Sequence, residues 1–214
     1  MKNKSDVSIM LKEAGILFAI TLIAGLLLGF VFELTKEPRR LQQEKAIREA
    51  CMEVFSEEEY ISAGIEFQEY AYTPGEELLS ELAEKGVSVG RVYEAVSQGG
   101  MLFGYVVEAI SANGYGGDIV LYVGVRTDGT VNGVSITESS ETAGLGLEAS
   151  SVLTPQFAGK KFDSFVYTKT GAKEGTNEVD AISSATITTK AVTEAVNGGL
   201  KAALELLEGG AVNE

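Results

Sequence analysis

The sequence predicts an α+β protein: an N-terminal transmembrane helix followed by a domain in which an antiparallel sheet is flanked by helices. Three observations carry this. Ala14 to Phe32 is a run of 19 residues without a charge. Residues 89–137 hold four short apolar or alternating runs set apart by turn residues. From Thr188 the apolar residues recur every three or four positions, the period of a helix and not of a strand.

Taken in order, residues 1–13 form an N-terminal tail. The apolar run that follows spans about 28 Å at ~1.5 Å per residue, close to the hydrocarbon thickness of a bilayer. No small-x-small cleavage site follows it, and the chain continues into Glu33-Leu34-Thr35-Lys36. Residues 14–34 therefore read as an uncleaved membrane anchor and not as a signal peptide. Gly25 and Gly29 form a small-xxx-small pair that lets another helix come close. Pro38 then opens a pattern of Leu41, Ile47, Ala50, Cys51, Val54 and Phe55, which makes residues 35–58 an amphipathic linker helix. Glu57-Glu58-Glu59 reads as a solvated turn, and Thr73-Pro74-Gly75 ends a short extended stretch.

Strands are expected at Val89–Val96, Leu102–Ile110, Ile119–Val125 and Val131–Thr137. Gln98-Gly99-Gly100 and Asp128-Gly129 separate them, the second as a tight hairpin. The last helix, Thr188–Leu207, carries Val192, Val196, Leu200, Leu204 and Leu207 on one face, and Gly209-Gly210 closes it. The domain is expected over residues 59–210, with 211–214 as a tail.

Charge and composition narrow the chemistry. Residues 1–35 balance three Lys against three acids, so the net charge of −14 lies entirely in residues 36–214, with 14 basic and 28 acidic side chains. Such a domain repels nucleic acid and anionic lipid heads, and an acidic surface also serves solubility. The chain has no His and one Cys. It therefore lacks the parts for a Ser-His-Asp triad, a Cys-His pair, a cysteine-ligated iron–sulfur cluster or an ordinary zinc site. No metal site and no catalytic residue is expected, and redox chemistry would have to come from an organic cofactor. Cys51 falls on the apolar side of its helix and reads as a small buried hydrophobe.

The most informative stretch is Asp180-Ala181-Ile182-Ser183-Ser184-Ala185-Thr186, followed by Ile187-Thr188-Thr189 and the last helix. It puts hydroxyls among small residues where a strand-like run turns into a helix. The first N–H groups of a helix lack internal partners and carry partial positive charge, so a phosphate is well placed there. By residue type alone, Thr186 reads as a helix cap, and Asp180 as a turn or capping residue. A second constellation is Glu141-Thr142-Ala143-Gly144-Leu145-Gly146, whose glycines permit positive φ and close backbone approach. By itself it is an ordinary glycine-rich loop.

The segment Asp180–Thr186 resembles the flavinylation motif of the G subunit of Rnf electron-transport complexes and of the C subunit of sodium-pumping NADH:quinone reductase. Ser184 stands where the family usually has Gly. Residues 141–146 resemble the family's Glu-Thr-Pro-Gly-Leu-Gly segment, with Ala143 in place of Pro. Asn113-Gly114-Tyr115-Gly116-Gly117-Asp118-Ile119 resembles a segment entering the central sheet. Thr154-Pro155-Gln156-Phe157-Ala158-Gly159-Lys160 sits where the family has a Gln-Phe stretch, and no chemical role is assigned to it.

The resemblance implies FMN bound covalently through a phosphoester to Thr186, with Ser183, Ser184, Ala185, Thr188, Thr142, Gly144 and Leu145 around it. It implies a magnesium-dependent flavin transferase that recognises Asp180 and moves FMN from FAD, releasing AMP. It further implies an electron-carrying subunit of a membrane-bound, ion-translocating ferredoxin:NAD+ oxidoreductase, partnered by the other Rnf subunits and by membrane lipid. Counted literally, the basic residues flanking the anchor favour a cytoplasmic domain. The resemblance implies the reverse, a single-pass protein of the cell membrane with its flavin domain on the extracytoplasmic side, and that is the expectation adopted. The C subunit of the quinone reductase is the nearest alternative, though that family is typically longer. A membrane-anchored binding or sensor domain without redox role is the other.

Overall fold

The computed structural model describes residues 4–55 and 64–210. The first element is one helix, α1 (Lys4–Val54), with Pro38 inside it, where the sequence predicts a new helix opening. The absence of one N–H removes a single backbone bond, and the helical pattern continues on both sides. The expected turn at Glu57-Glu58-Glu59, the domain start at 59 and the tail 211–214 lie outside the described residues.

The chain divides into two compact units, residues 1–45 and 46–214. In the first, α1 is the one helix among the described residues long and apolar enough to cross a membrane, and none of its apolar window is buried. Phe18 is 67% exposed and Leu28 71%, an arrangement suited to lipid and not to water. The hydroxyls of Thr21 and Thr35 donate to carbonyls three and four residues back, which satisfies them without a partner helix. Leu41, expected in the linker's apolar stripe, is exposed at 58%.

The second unit is built on a five-stranded antiparallel sheet in simple sequential order, β1 (Glu66–Tyr70), β2 (Val87–Val96), β3 (Leu102–Ser111), β4 (Ile119–Arg126) and β5 (Val131–Ser139). The hairpin between β4 and β5 forms as Asp128-Gly129 predicts. Gly129 takes φ +85, and the Asp128 carboxylate accepts both the N–H and the hydroxyl of Thr130. A helix that the sequence does not predict, α2 (Glu76–Glu84), links β1 to β2 and buries only Leu82.

Both faces of the sheet are covered. Alternation along β3 and β4 sends Tyr105, Val107, Leu121, Val123 and Val125 into a core with Val192, Ala195, Val196 and Leu200 of the last helix, α3 (Thr186–Gly210). That helix runs through Gly209 and Gly210 instead of stopping before them. The opposite face packs Val106 and Tyr122 against Ala50, Cys51, Val54 and Phe55 at the end of α1. There Gly124 and Gly133 pair across β4 and β5. A methyl at Gly133 would lie 2.9 Å from Val54 Cα, and one at Gly124 would lie 2.9 Å from Val54 Cβ. The two glycines form a notch in which Val54 sits against the sheet, and Asn132 Nδ2 donates to the Val54 carbonyl at 2.7 Å. Cys51 is buried as expected, and burial pushes its thiol up to about 12.

This face also buries a carboxylate. Glu108 accepts the Tyr122 hydroxyl at 2.5 Å and the Arg91 N–H at 2.9 Å, with the Arg91 guanidinium at 3.4 Å. Burial pushes its pKa up, but Tyr122 and Arg91 together outweigh that and hold it below the usual range.

After β5 the chain makes a glycine loop and a run of short helical turns (Gly146–Glu148, Ala149–Leu153, Thr154–Gln156). A small parallel pair follows, β6 (Val166–Thr168) and β7 (Glu178–Asp180). These three-residue strands are too short for any periodicity to reveal. They deliver the chain to the start of α3.

Candidate functional site

A cleft of about 490 Å3 opens at the N-terminus of α3, lined by Tyr115, Glu141, Thr142, Leu145, Gly146, Ser184, Ala185, Thr186, Ile187 and Thr188. The size suits a small organic ligand. One wall is the glycine loop after β5 and the other is the start of α3, so two segments about 40 residues apart in sequence meet here.

The helix start is arranged in an unusual way. Its first backbone bond is Thr189 N–H to the Ala185 carbonyl, 2.9 Å, so Ala185 and not Thr186 holds the capping position. The N–H groups of Thr186, Ile187 and Thr188 are left without an intrahelical partner and point out of the helix end. Five hydroxyls surround this point. Thr189 Oγ1 accepts the Ile182 N–H at 3.1 Å and donates to the Ala185 carbonyl at 2.9 Å. Thr188 Oγ1 donates to Glu141 Oε2 at 2.6 Å. Thr186, Ser183 and Ser184 make no side-chain hydrogen bond among the described residues. Of these, Ser183 is exposed and does not line the cleft, whereas Thr186 is half-buried and does.

Ser184 is the only non-glycine residue with positive φ among the described residues, at +62. The left-handed conformation explains a glycine preference at this position: a Cβ there crowds the following carbonyl. It also turns the chain sharply enough to bring Thr186 to the mouth of the cleft.

Glu141 is not a site residue that the sequence singles out, yet it organises the cleft. It is 6% exposed, and it accepts Thr188 Oγ1 on one oxygen and the Gly116 N–H at 3.1 Å on the other. No cation pairs with it among the described residues. A methyl at Gly146 would come within 2.5 Å of Glu141 Oε2 and 2.7 Å of Thr188 Oγ1, so the glycine is needed for the carboxylate to reach the helix. Its one signal in the sequence is its place at the head of the glycine loop; its partner Thr188 lies 47 residues away.

The other expected residues are divided. Thr142, Leu145, Ala185 and Thr188 line the cleft with Thr186 and Ser184. Gly144 turns the loop at φ +74 but does not line the cleft. Tyr115, 70% exposed, and Ile187, 54% exposed, form an apolar rim. Asp180 stands outside the cleft, exposed at the end of β7, where Oδ1 accepts the Ala172 N–H at 2.6 Å. Chemically, the arrangement offers an apolar slot, a helix end that favours an anionic group, and two cleft-lining hydroxyls, Thr186 and Ser184, unbonded among the described residues.

Residues 114–201 match the FMN-binding domain family. The chain is 33% identical over 201 residues to the G subunit of the Na(+)-translocating ferredoxin:NAD(+) oxidoreductase complex of Acetobacterium woodii, covering 92% of each chain. It is 31% identical over 182 residues to the G subunit of the ion-translocating oxidoreductase complex of Methanosarcina acetivorans, covering 85% of this chain and 87% of that one. A crystal structure of the C subunit of Na(+)-translocating NADH-quinone reductase from Parabacteroides distasonis shares the fold, with a TM-score of 0.54 and 22% identity over 78% of this chain and 94% of that one. The chain belongs to the G-subunit family of ion-translocating oxidoreductase (Rnf) complexes.

Proposed function

We propose that this chain is the electron-relay subunit of a membrane-bound, ion-translocating ferredoxin:NAD+ oxidoreductase and carries FMN through a phosphoester to Thr186. The observation that carries the reading is Thr186 itself: a hydroxyl with no hydrogen-bond partner among the described residues, at the mouth of the cleft, on a helix end with three N–H groups available. The residues suit the group. Leu145, Ile187, Ala185 and Tyr115 offer apolar surface to a flat ring, while the helix terminus favours the phosphate. FMN supplies reversible uptake of electrons, and the protein supplies position and electrostatics. The uncompensated Glu141 carboxylate and the acidic domain disfavour an anionic reduced flavin and so lower its potential, less so at high salt.

Thr186 acts as acceptor and performs no catalysis. In the attachment step the Thr186 oxygen bonds to the flavin-side phosphorus of FAD, the phosphoanhydride bond breaks, AMP leaves, and the hydroxyl proton passes to the flavin transferase. Asp180, exposed with its Oδ1 accepting the Ala172 N–H, is available for the transferase to read. Partner subunits supply the substrate sites and the ion path, and the flavin domain lies outside the cytoplasm with residues 14–34 in the membrane. A sensor domain without redox role would have explained Thr186 as a helix cap, but the capping position belongs to Ala185.

The test is denaturing gel electrophoresis of native membranes viewed under ultraviolet light. A fluorescent band lost in Thr186→Val supports the reading. A dark wild-type band in cells with an active transferase refutes it. For the topology, protease added to intact spheroplasts is expected to degrade the flavin domain. Protection until the membrane is broken would reverse the orientation.

A further inference from the structure

We infer that Gln156 is a positioning residue for flavin attachment at Thr186, an inference that rests on the reading of Thr186 as acceptor. Gln156 ends the run of helical turns that begins at the glycine loop of the cleft. Its side-chain amide grips the Asp180 peptide from both sides: Oε1 accepts the Asp180 N–H at 2.6 Å, and Nε2 donates to the Asp180 carbonyl at 3.3 Å. Nε2 also donates to the Val152 carbonyl at 2.9 Å, which fixes the amide's orientation.

Within the segment it grips, Ile182 and Ala185 are buried in the core, and the Ala185 N–H donates to the Ile182 carbonyl at 3.1 Å. Between Asp180 and α3, Ser183 and Ser184 are exposed and their side chains are unbonded among the described residues, and Ser184 is in the strained left-handed region. The two serines themselves hold nothing, so the segment depends on those core contacts and on what grips its ends. At the helix end, Thr189 clamps Ile182 and Ala185. At the strand end the holds are the Ala181 N–H to the Thr168 carbonyl, 2.8 Å, the Asp180 carboxylate on the Ala172 N–H, and the Gln156 clasp. Of these, the clasp alone comes from the run of helical turns that follows the glycine loop of the cleft. Glu141 ties the glycine loop to α3 at Thr188, and Gln156 ties the turns that follow that loop to Asp180, so in sequence the acceptor lies between the two tied positions.

A second side chain makes the same kind of contact elsewhere and serves as a control. Asn197 Oδ1 accepts the Phe165 N–H at 2.7 Å, and its Nδ2 donates to the Phe165 carbonyl at 2.9 Å. Its loss removes two similar bonds from the body of the domain and none from the acceptor segment.

If Gln156 acts by holding the segment in the geometry the transferase reads, its loss lowers the population of that geometry. The apparent affinity for the acceptor falls by the same factor. The experiment uses the full chain in detergent as substrate for purified flavin transferase with FAD and Mg2+. Initial rates are measured against acceptor concentration for wild type, Gln156→Ala, Gln156→Glu and Asn197→Ala, alongside thermal melting of each. Gln156→Ala is expected to raise KM for the acceptor about tenfold or more with kcat within about twofold. Gln156→Glu keeps only the acceptor half of the clasp and is expected to show most of that loss. Asn197→Ala is expected to lower the melting temperature at least as much while leaving KM unchanged. A Gln156→Ala chain with wild-type KM, or a KM rise matched by Asn197→Ala, overturns the inference while labelling of the wild type at Thr186 upholds the parent reading. A wild type that accepts no flavin overturns both.

Discussion

Replacing Ser184 by Gly is predicted to stabilise the protein, and the size of the effect follows from the backbone. Ser184 has φ +62, where a residue with a Cβ is less stable by about 1–2 kcal/mol. Glycine removes that strain but adds unfolded-state freedom worth roughly 0.4–1 kcal/mol. The Ser184 side chain makes no hydrogen bond among the described residues, so nothing else is lost. The net gain is about 0.5–1 kcal/mol, which for a protein of this size raises Tm by about 1–4 °C. Ala keeps the Cβ and the strain and is expected to match Ser within about 0.5 kcal/mol. Val, branched at Cβ, is expected to cost a further ~1 kcal/mol or more. The assay is thermal melting of the four variants in one detergent, with urea midpoints as a check. A Gly variant less stable than Ser, or an Ala variant more than about 1 kcal/mol below it, would show that the hydroxyl and not the backbone governs this position.

Three other perturbations follow. Tyr122→Phe removes a charge-assisted bond to Glu108 and is expected to cost about 1.5–3 kcal/mol at pH 7. Because the folded pKa of Glu108 is depressed, its contribution is complete above the unfolded value of about 4.3 and is lost as pH falls through the folded one. The gap between wild type and variant in urea midpoint should therefore close below about pH 4; a gap constant from about pH 7 to 3 would contradict the network. Gly133→Ala forces a methyl against the Val54 backbone and is expected to destabilise by about 1–3 kcal/mol. The same change should make the buried Cys51 thiol reactive to an aromatic disulfide reagent under conditions where the wild type is inert. Glu141→Gln keeps side-chain shape and removes the charge, so the bound flavin's midpoint potential should rise. The change is on the order of 1 kcal/mol per electron at an effective dielectric of about 20, and a lower or unchanged potential would separate Glu141 from the flavin.

The parts of this fold that can be read from sequence are those whose signal is periodic. Strands β2 to β5 appear within a few residues of their expected ends because Val, Ile and Leu recur at strand spacing between glycine turns. The face of α3 declares itself through Val192, Val196 and Leu200. Helix α2 does not, since it follows Pro74-Gly75, has no capping side chain and buries one residue. The pair β6–β7 is too short to alternate. At the site, Thr186 is legible because its neighbours Asp180 and Ala185 lie in one continuous stretch. Glu141 and Gln156 are not, because what each does depends on a partner 47 or 24 residues away, and no local pattern encodes that distance. The left-handed φ of Ser184 is hidden for a different reason: serine there is tolerated and carries no mark of the strain.

Everything proposed for this chain turns on the bond at Thr186. Protein purified from native membranes should be digested and the peptide containing Asp180 to Thr186 analysed by tandem mass spectrometry. The predicted result is a peptide heavier by one FMN less one water, with fragments placing the addition on Thr186 and no addition in Thr186→Val. An unmodified peptide from cells with an active transferase, or an addition mapped to Ser183 or Ser184, would contradict it.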